Sequence, residues 1–137
     1  MGLDDDLRRT AEAAVVHAAD GEELVGIVPA EPASGLRLYV CAYGREDDPT
    51  WLVFDATGVP VEERALVRDA VSIAALCEVA EEAAGIERKA PRVASPAYLD
   101  ELGSGGGPEL AGAVKGATGT LDELLRDVER GYKRPLS

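Results

Sequence analysis

Two spacings of apolar residues follow one another along the first 85 positions of the chain. From 36 to 43 apolar residues occupy every second position, which is typical of a strand with one buried face. Further on they recur every three or four positions, the spacing of a helix: Leu66, Ala70, Ile73, Cys77 and Ala80. A second apolar row widens the same helix: Val67, Val71, Ala74 and Leu76. A face this broad needs cover on two sides.

The stretch from Val59 to Gly85 therefore predicts one long central helix. Pro60 suits the first turn, where its missing N–H costs nothing. Glu62 and Glu63 follow at positions where the helix dipole favours negative charge. Gly85 is placed to adopt the left-handed conformation that ends many helices. At about 25 residues, such a helix is about 37 Å long.

The remaining elements up to Gly85 predict an α+β fold. The spacing predicts a first helix from Leu3 to Ala19 and strands at 22–28, 36–43 and 50–55. Short connections favour antiparallel neighbours. We therefore expect an α-β-β-β-α core, in which a three-stranded antiparallel sheet packs against the long central helix, with C-terminal helices added.

The sequence as a whole predicts three units. A compact α+β domain covers 1–102 and ends in a short helix that Ser95 caps. The segment 103–119 opens with four glycines and a serine and is predicted to be a flexible linker. The segment 120–132 is predicted to be an amphipathic helix, since Thr120 and Glu123 form a capping-box pattern. A tail hinged on the linker follows from this division.

Charge and composition exclude some classes of partner. Fourteen basic and twenty-six acidic residues give a net charge of -12. Such a chain repels phosphate backbones and anionic membranes, so we expect no nucleic acid and no membrane as partner. No apolar run reaches the length of about 20 residues that spans a bilayer. Without a hydrophobic signal peptide, and with Cys41 and Cys77 set among apolar residues, a cytoplasmic location is expected.

No set of residues points to catalysis. The chain has one histidine, so a Cys/His zinc site of four ligands cannot form. His17 stands near the end of the first helix with no nucleophile beside it, and Cys41 lacks basic neighbours that would stabilise a thiolate. The acidic runs at 4–6 and 46–48 lack the spacing of a calcium loop. We therefore predict no cofactor and no metal, and favour a protein that is not an enzyme.

One group of residues is a candidate binding site. Arg37, Tyr39 and Tyr43 share one face of the second strand, and Trp51 and Asp55 share one face of the third. If the strand register joins these faces, the sheet carries an aromatic patch with one cation and one anion, and such residue types dominate protein interfaces. The alternative is that the patch is the underside of the sheet, covered by the C-terminal helix.

These features predict a non-catalytic cytoplasmic module that binds proteins. At the level of architecture only, the arrangement resembles compact acidic chaperones and adaptor proteins. The aromatic sheet face and the hinged C-terminal helix would bind a protein partner, and two copies could form a homodimer. The alternative is a small-molecule-binding protein or a small enzyme, with the same five residues lining a pocket between the sheet and the central helix. A concavity of several hundred Å³ beside them would favour this alternative.

Overall fold

The structure, a computed structural model, describes residues 3–33, 35–44, 49–86 and 92–137, with the backbone alone at 3 and 104–111. In chain order its elements are α1 (Leu3–Val16), β1 (Glu23–Ala30), β2 (Leu38–Gly44), β3 (Thr50–Asp55), α2 (Arg64–Ala83) and α3 (Pro96–Arg130). The three strands form one antiparallel sheet in the order β1-β2-β3. The α+β class and the α-β-β-β-α order are thus confirmed.

The sheet separates two clusters of buried side chains. Successive residues of β2 point to opposite faces, so Leu38 and Val40 join the cluster formed with α2 and α3, while Tyr39 and Cys41 join the cluster beneath α1. The alternation predicted for this strand is therefore present, and the residues on both of its faces are buried. The central strand β2 is therefore covered on both faces. The wide apolar face of α2 is itself covered by the sheet and by α3.

The central helix begins later than its sequence predicts. α2 starts at Arg64, because Pro60 and Val61 lie along the outer edge of β3 instead. There the Val61 N–H donates to the Val53 carbonyl at 2.7 Å. The end of the helix agrees with the prediction, since Gly85 has the left-handed φ of 69°.

α3 is a continuous helix of 35 residues. It begins as predicted, with the Ser95 hydroxyl accepting a hydrogen bond from the Tyr98 N–H at 3.1 Å. It then includes 103–119, where the glycines predict a linker between two helices. Glycine lowers helix propensity by about 1 kcal/mol per residue without forbidding the conformation. The division of the chain into domain, linker and tail stays a prediction.

Both ends of α3 lie along α2, so α3 cannot be straight. The Cys77 thiol donates to the Ser95 carbonyl at 3.7 Å, and the Arg68 guanidinium lies 3.0 Å from the Glu129 carboxylate. In a straight helix Ser95 and Glu129 would be about 51 Å apart, whereas Cys77 and Arg68 are about 14 Å apart along α2. The helix therefore changes direction between its two packed ends. The predicted linker lies in that interval.

The chain after α3 completes the sheet edge. The Trp51 N–H donates to the Gly131 carbonyl and the Lys133 N–H donates to the Trp51 carbonyl, both at 3.0 Å. Between them, the Tyr132 hydroxyl donates to the Val61 carbonyl at 2.6 Å and accepts from the Val53 N–H at 2.9 Å. The C-terminal segment thus packs on its own sheet. Among the described helices, none is both long and apolar enough to cross a membrane.

Candidate functional site

The strand register separates the five residues predicted to form one patch. Cross-strand neighbours share a face, and Tyr39 pairs with Phe54, one position before Asp55. Trp51 and Asp55 pair with Ala42 and Leu38, which lie on the α2 side. The prediction of one aromatic patch is therefore wrong, because Tyr39 and Tyr43 lie on the opposite face of the sheet from Trp51 and Asp55. A shift of one residue in the pairing would have joined them.

Tyr39 and Tyr43 are core residues beneath α1. Each is 1 % exposed. The Tyr43 hydroxyl donates to the Ala14 carbonyl at 2.6 Å, and the Lys133 ammonium lies 4.8 Å from the centre of the Tyr43 ring. Burial raises the pKa of the Tyr43 hydroxyl. Tyr43 therefore anchors α1 and the C-terminal segment to the sheet, and Tyr39 is buried in the same cluster.

Of the residues considered for catalysis, Cys41 lies in the core and His17 packs against it. Cys41 is fully buried, and burial raises the pKa of its thiol to about 12, so the sulfur stays protonated at neutral pH. The His17 ring packs against Phe54 with 5.7 Å between ring centres. Within the part of the chain that the structure describes, no three His, Cys, Asp or Glu side chains are grouped so as to hold a metal ion.

Trp51 lies at the other end of β3 from Asp55. It lines a groove of about 530 Å³ with residues from the end of α3. One edge of the indole ring packs against Gly131, where an added Cβ would lie 2.7 Å from a ring carbon. The exposed Asp127 and Arg130 side chains, which pair at 2.7 Å, complete the wall. Trp51 is thus brought together with neither Arg37 nor the tyrosines.

Arg37 and Asp55 do meet, in a groove of about 490 Å³ that we call the Asp55 groove. It lies where the sheet, the β3–α2 connection and the first turns of α2 come together. Its apolar walls are formed by Leu36, Leu38, Ala56, Val61 and Leu66. Leu38 is fully buried, whereas Leu36 is 51 % exposed. The groove is therefore open to solvent along the side of Leu36.

The charged side chains of the Asp55 groove are held by local structure. The Arg37 guanidinium donates through two nitrogens to one Glu31 oxygen, at 3.0 and 3.2 Å. An Asp55 oxygen accepts from both the N–H and the hydroxyl of Thr57 and from the Val59 N–H. Burial raises the pKa of Asp55, but these hydrogen bonds outweigh it and lower the pKa overall. Asp55 is therefore a fixed negative charge at neutral pH.

Two further carboxylates border the groove at the start of α2. Glu62 and Glu63 are exposed, and Glu62 lies 3.9 Å from the Arg134 guanidinium. Their sequence position predicts only a favourable interaction with the helix dipole. The signal that sequence reasoning missed is their closeness to Leu36, which lies about 26 positions earlier in the chain and joins them only in the folded protein.

Known proteins provide no assignment for this site. Comparisons with protein-family models, with curated proteins and with solved structures find no match to this chain. The functional argument therefore depends on the shape, polarity and charge of the surface itself. Of the two grooves described above, the Asp55 groove has the more apolar walls and holds two of the five predicted residues.

Proposed function

We propose that the chain is a non-catalytic binding module that holds an apolar segment of a partner protein in the Asp55 groove. The observation that carries this proposal is a half-exposed leucine, Leu36, at the open side of a groove with apolar walls. Covering apolar surface contributes about 25 cal/mol per Å². A partner that fills the groove would gain this free energy at Leu36 and Leu66.

The open side of the groove favours a polypeptide over a small molecule. Its volume of about 490 Å³ is within the range of ligand pockets, as the alternative prediction expects. A small ligand, however, binds well when most of its surface is enclosed. In the Asp55 groove, the exposed Leu36 leaves one side uncovered. A polypeptide can compensate, because residues flanking the inserted segment add contacts outside the groove.

The state of the candidate catalytic residues supports a role without chemistry. A buried thiol with a raised pKa is a poor nucleophile, and a histidine packed on Phe54 has no nucleophile paired with it among the contacts of the described residues. Acid–base catalysis needs a titratable group at a place where substrate can reach it. A nucleophile must be accessible as well, and the fully buried Cys41 is not. We therefore propose binding, and not turnover, as the activity.

A cytoplasmic location and a homodimer remain parts of this proposal. Cys41 and Cys77 form no disulfide and lie in clusters on opposite sides of the sheet, which suits a reducing compartment. Light scattering on the full chain would test the homodimer. A monomer mass at micromolar concentration would contradict the homodimer, and the proposed binding in the Asp55 groove does not depend on it.

The test of the proposed function is a titration with a neutral peptide in which leucine alternates with serine. We expect saturable changes in the amide NMR spectrum at Leu36, Asp55 and Leu66. Leu36→Ser should weaken binding about fivefold, because it removes half-exposed apolar surface from the site. Val16→Ser is the matched control, since Val16 is 81 % exposed and lies on α1.

The distribution of the spectral changes decides the outcome. Changes that avoid the groove, or equal binding by the two serine variants, would contradict the proposal. Saturable binding of a short alcohol such as hexanol in the groove, with no peptide binding, would instead favour the small-molecule alternative.

A further inference from the structure

The rim of the Asp55 groove is unbalanced in charge. Among the described residues that line it, the one cation is Arg37, which is paired with Glu31 at 3.0 Å, so that charge is already compensated. Its three carboxylates are Asp55, Glu62 and Glu63. An occupant of the groove therefore meets negative charge on the side of the β3–α2 connection and the first turn of α2.

Within the part of the chain that the structure describes, no contact compensates these carboxylates fully. The hydrogen bonds to Asp55 come from uncharged donors, which keep it ionised without neutralising it. Glu62 faces Arg134 at 3.9 Å in an exposed pair, and such pairs are weak. Glu63 is the N-cap residue of α2, yet its side chain makes no capping hydrogen bond and is exposed to solvent. It is therefore available to a partner.

We infer that the partner segment held in the Asp55 groove is basic as well as apolar. Its leucine or valine side chains would fill the space beside Leu36 and Leu66, and its lysine or arginine side chains would lie against Glu62 and Glu63. This inference rests on the proposed function and adds the chemistry of the partner. The net charge of -12 acts in the same direction, because it attracts a basic protein at long range.

The same charges disfavour a second copy of this chain as occupant. A second copy would have to face the groove with a basic apolar segment, and the chain has twelve more acidic than basic residues. Lys133, a basic residue near the C-terminus, is already engaged within the chain by the buried Glu22 carboxylate. A different, basic protein therefore fits the groove better.

The experiment compares three peptides that share the same leucines and differ in the alternating residue, which is lysine, serine or glutamate. Calorimetry and amide NMR on the full chain should rank their affinities as lysine, then serine, then glutamate. Raising the salt concentration from about 50 mM to about 500 mM should weaken the lysine peptide more than the serine peptide, because screening acts on charge alone.

Paired variants locate the charge effect. Glu62→Gln with Glu63→Gln should weaken the lysine peptide about three- to tenfold and leave the serine peptide unchanged. The matched control is Asp122→Asn with Glu123→Gln, which makes the same change of net charge at two exposed positions of α3. The control should leave both affinities unchanged.

Each other result has a defined meaning. Equal affinity for the lysine and serine peptides, or tighter binding of the glutamate peptide, would overturn the basic partner and leave the proposed function standing. An equal loss of the lysine peptide in the control pair would also overturn it, since net charge alone would then explain the preference. Binding of no peptide would overturn both the proposed function and this inference. If a variant does not fold, the salt dependence of lysine-peptide binding by the unmodified chain decides between the same outcomes.

Discussion

The α1 side of the sheet and the Asp55 groove differ in how completely the chain covers its own side chains. Tyr39 and Tyr43, which have the residue type expected of an interface, are sealed beneath α1. Leu36, an ordinary apolar residue, remains half exposed in a groove. The comparison teaches that residue type predicts the capacity to bind, while the fold decides whether the partner is another protein or the chain itself.

Hydrogen bonding explains why the α1 side is closed. A buried tyrosine needs a partner for its hydroxyl, and Tyr43 has one in the Ala14 carbonyl of α1. The ring of Tyr43 also carries the ammonium of Lys133 on its face, which ties the C-terminal segment to the same region. In the Asp55 groove, Arg37 and Asp55 have local hydrogen-bond partners, but the apolar surface is left open.

The largest expected effect is on the closed side. Tyr39→Ala removes a side chain that is 1 % exposed and should lower the free energy of unfolding by about 3–5 kcal/mol, through lost apolar burial and the cavity that remains. Urea denaturation followed by circular dichroism measures this loss. Below the unfolding transition, the variant should bind the lysine peptide as the unmodified chain does. A stable variant with weakened peptide binding would show that Tyr39 belongs to a binding surface.

A smaller effect is expected at the pair of Glu22 and Lys133, which joins the C-terminal segment to the α1 side and which we call the clamp. Glu22 has a side chain only 3 % exposed, pairs with Lys133 and accepts a hydrogen bond from the Thr50 hydroxyl at 2.7 Å. The bond from Lys133 is the main cause that lowers the pKa of Glu22 from 4.5 to about 2. A carboxyl with a lowered pKa stabilises the folded state above its unfolded pKa and loses that contribution as the pH falls.

The contribution of Glu22 is therefore complete above about pH 4.5 and disappears between about pH 4.5 and 2. Glu22→Gln should lower the free energy of unfolding by about 2 kcal/mol near neutral pH and flatten its pH dependence across that window. Urea midpoints measured at intervals from pH 6 to about pH 2 would show this. The exposed Glu82→Gln variant serves as reference, and parallel pH profiles for the two variants would contradict the clamp.

The period of apolar residues predicted most of the fold. Alternation at 36–43 and helical spacing at 66–80 were enough to place β2 and α2, since burial of one face depends on local geometry. The bend in α3 was less accessible. Its glycines predict a flexible segment, but the packing of Leu125 and Val128 on the core, which holds the distal part of the helix, is a tertiary contact.

The sequence predicted two residues of the candidate site, Arg37 and Asp55, but not how the side chains are arranged. Register depends on the geometry of the connection between β2 and β3, and its composition does not specify whether Asp55 pairs with Leu38 or with a neighbour. One position decides which face of the sheet receives Trp51. The groove itself combines Leu36 with residues at the start of α2. No local sequence pattern predicts a contact between residues so far apart in the chain.

The smallest effect on stability is expected in the Asp55 groove. There the substitution of Leu36 is the counterpart of Tyr39→Ala on the α1 side of the sheet. Leu36→Ser should change the free energy of unfolding by no more than about 0.5 kcal/mol, because Leu36 is 51 % exposed and belongs to neither core cluster of the sheet. The same substitution should weaken peptide binding about fivefold. A loss of stability like that expected for Tyr39→Ala would mean that Leu36 supports the fold. The groove would then be a part of the core that the chain leaves incompletely covered, and not a surface for a partner.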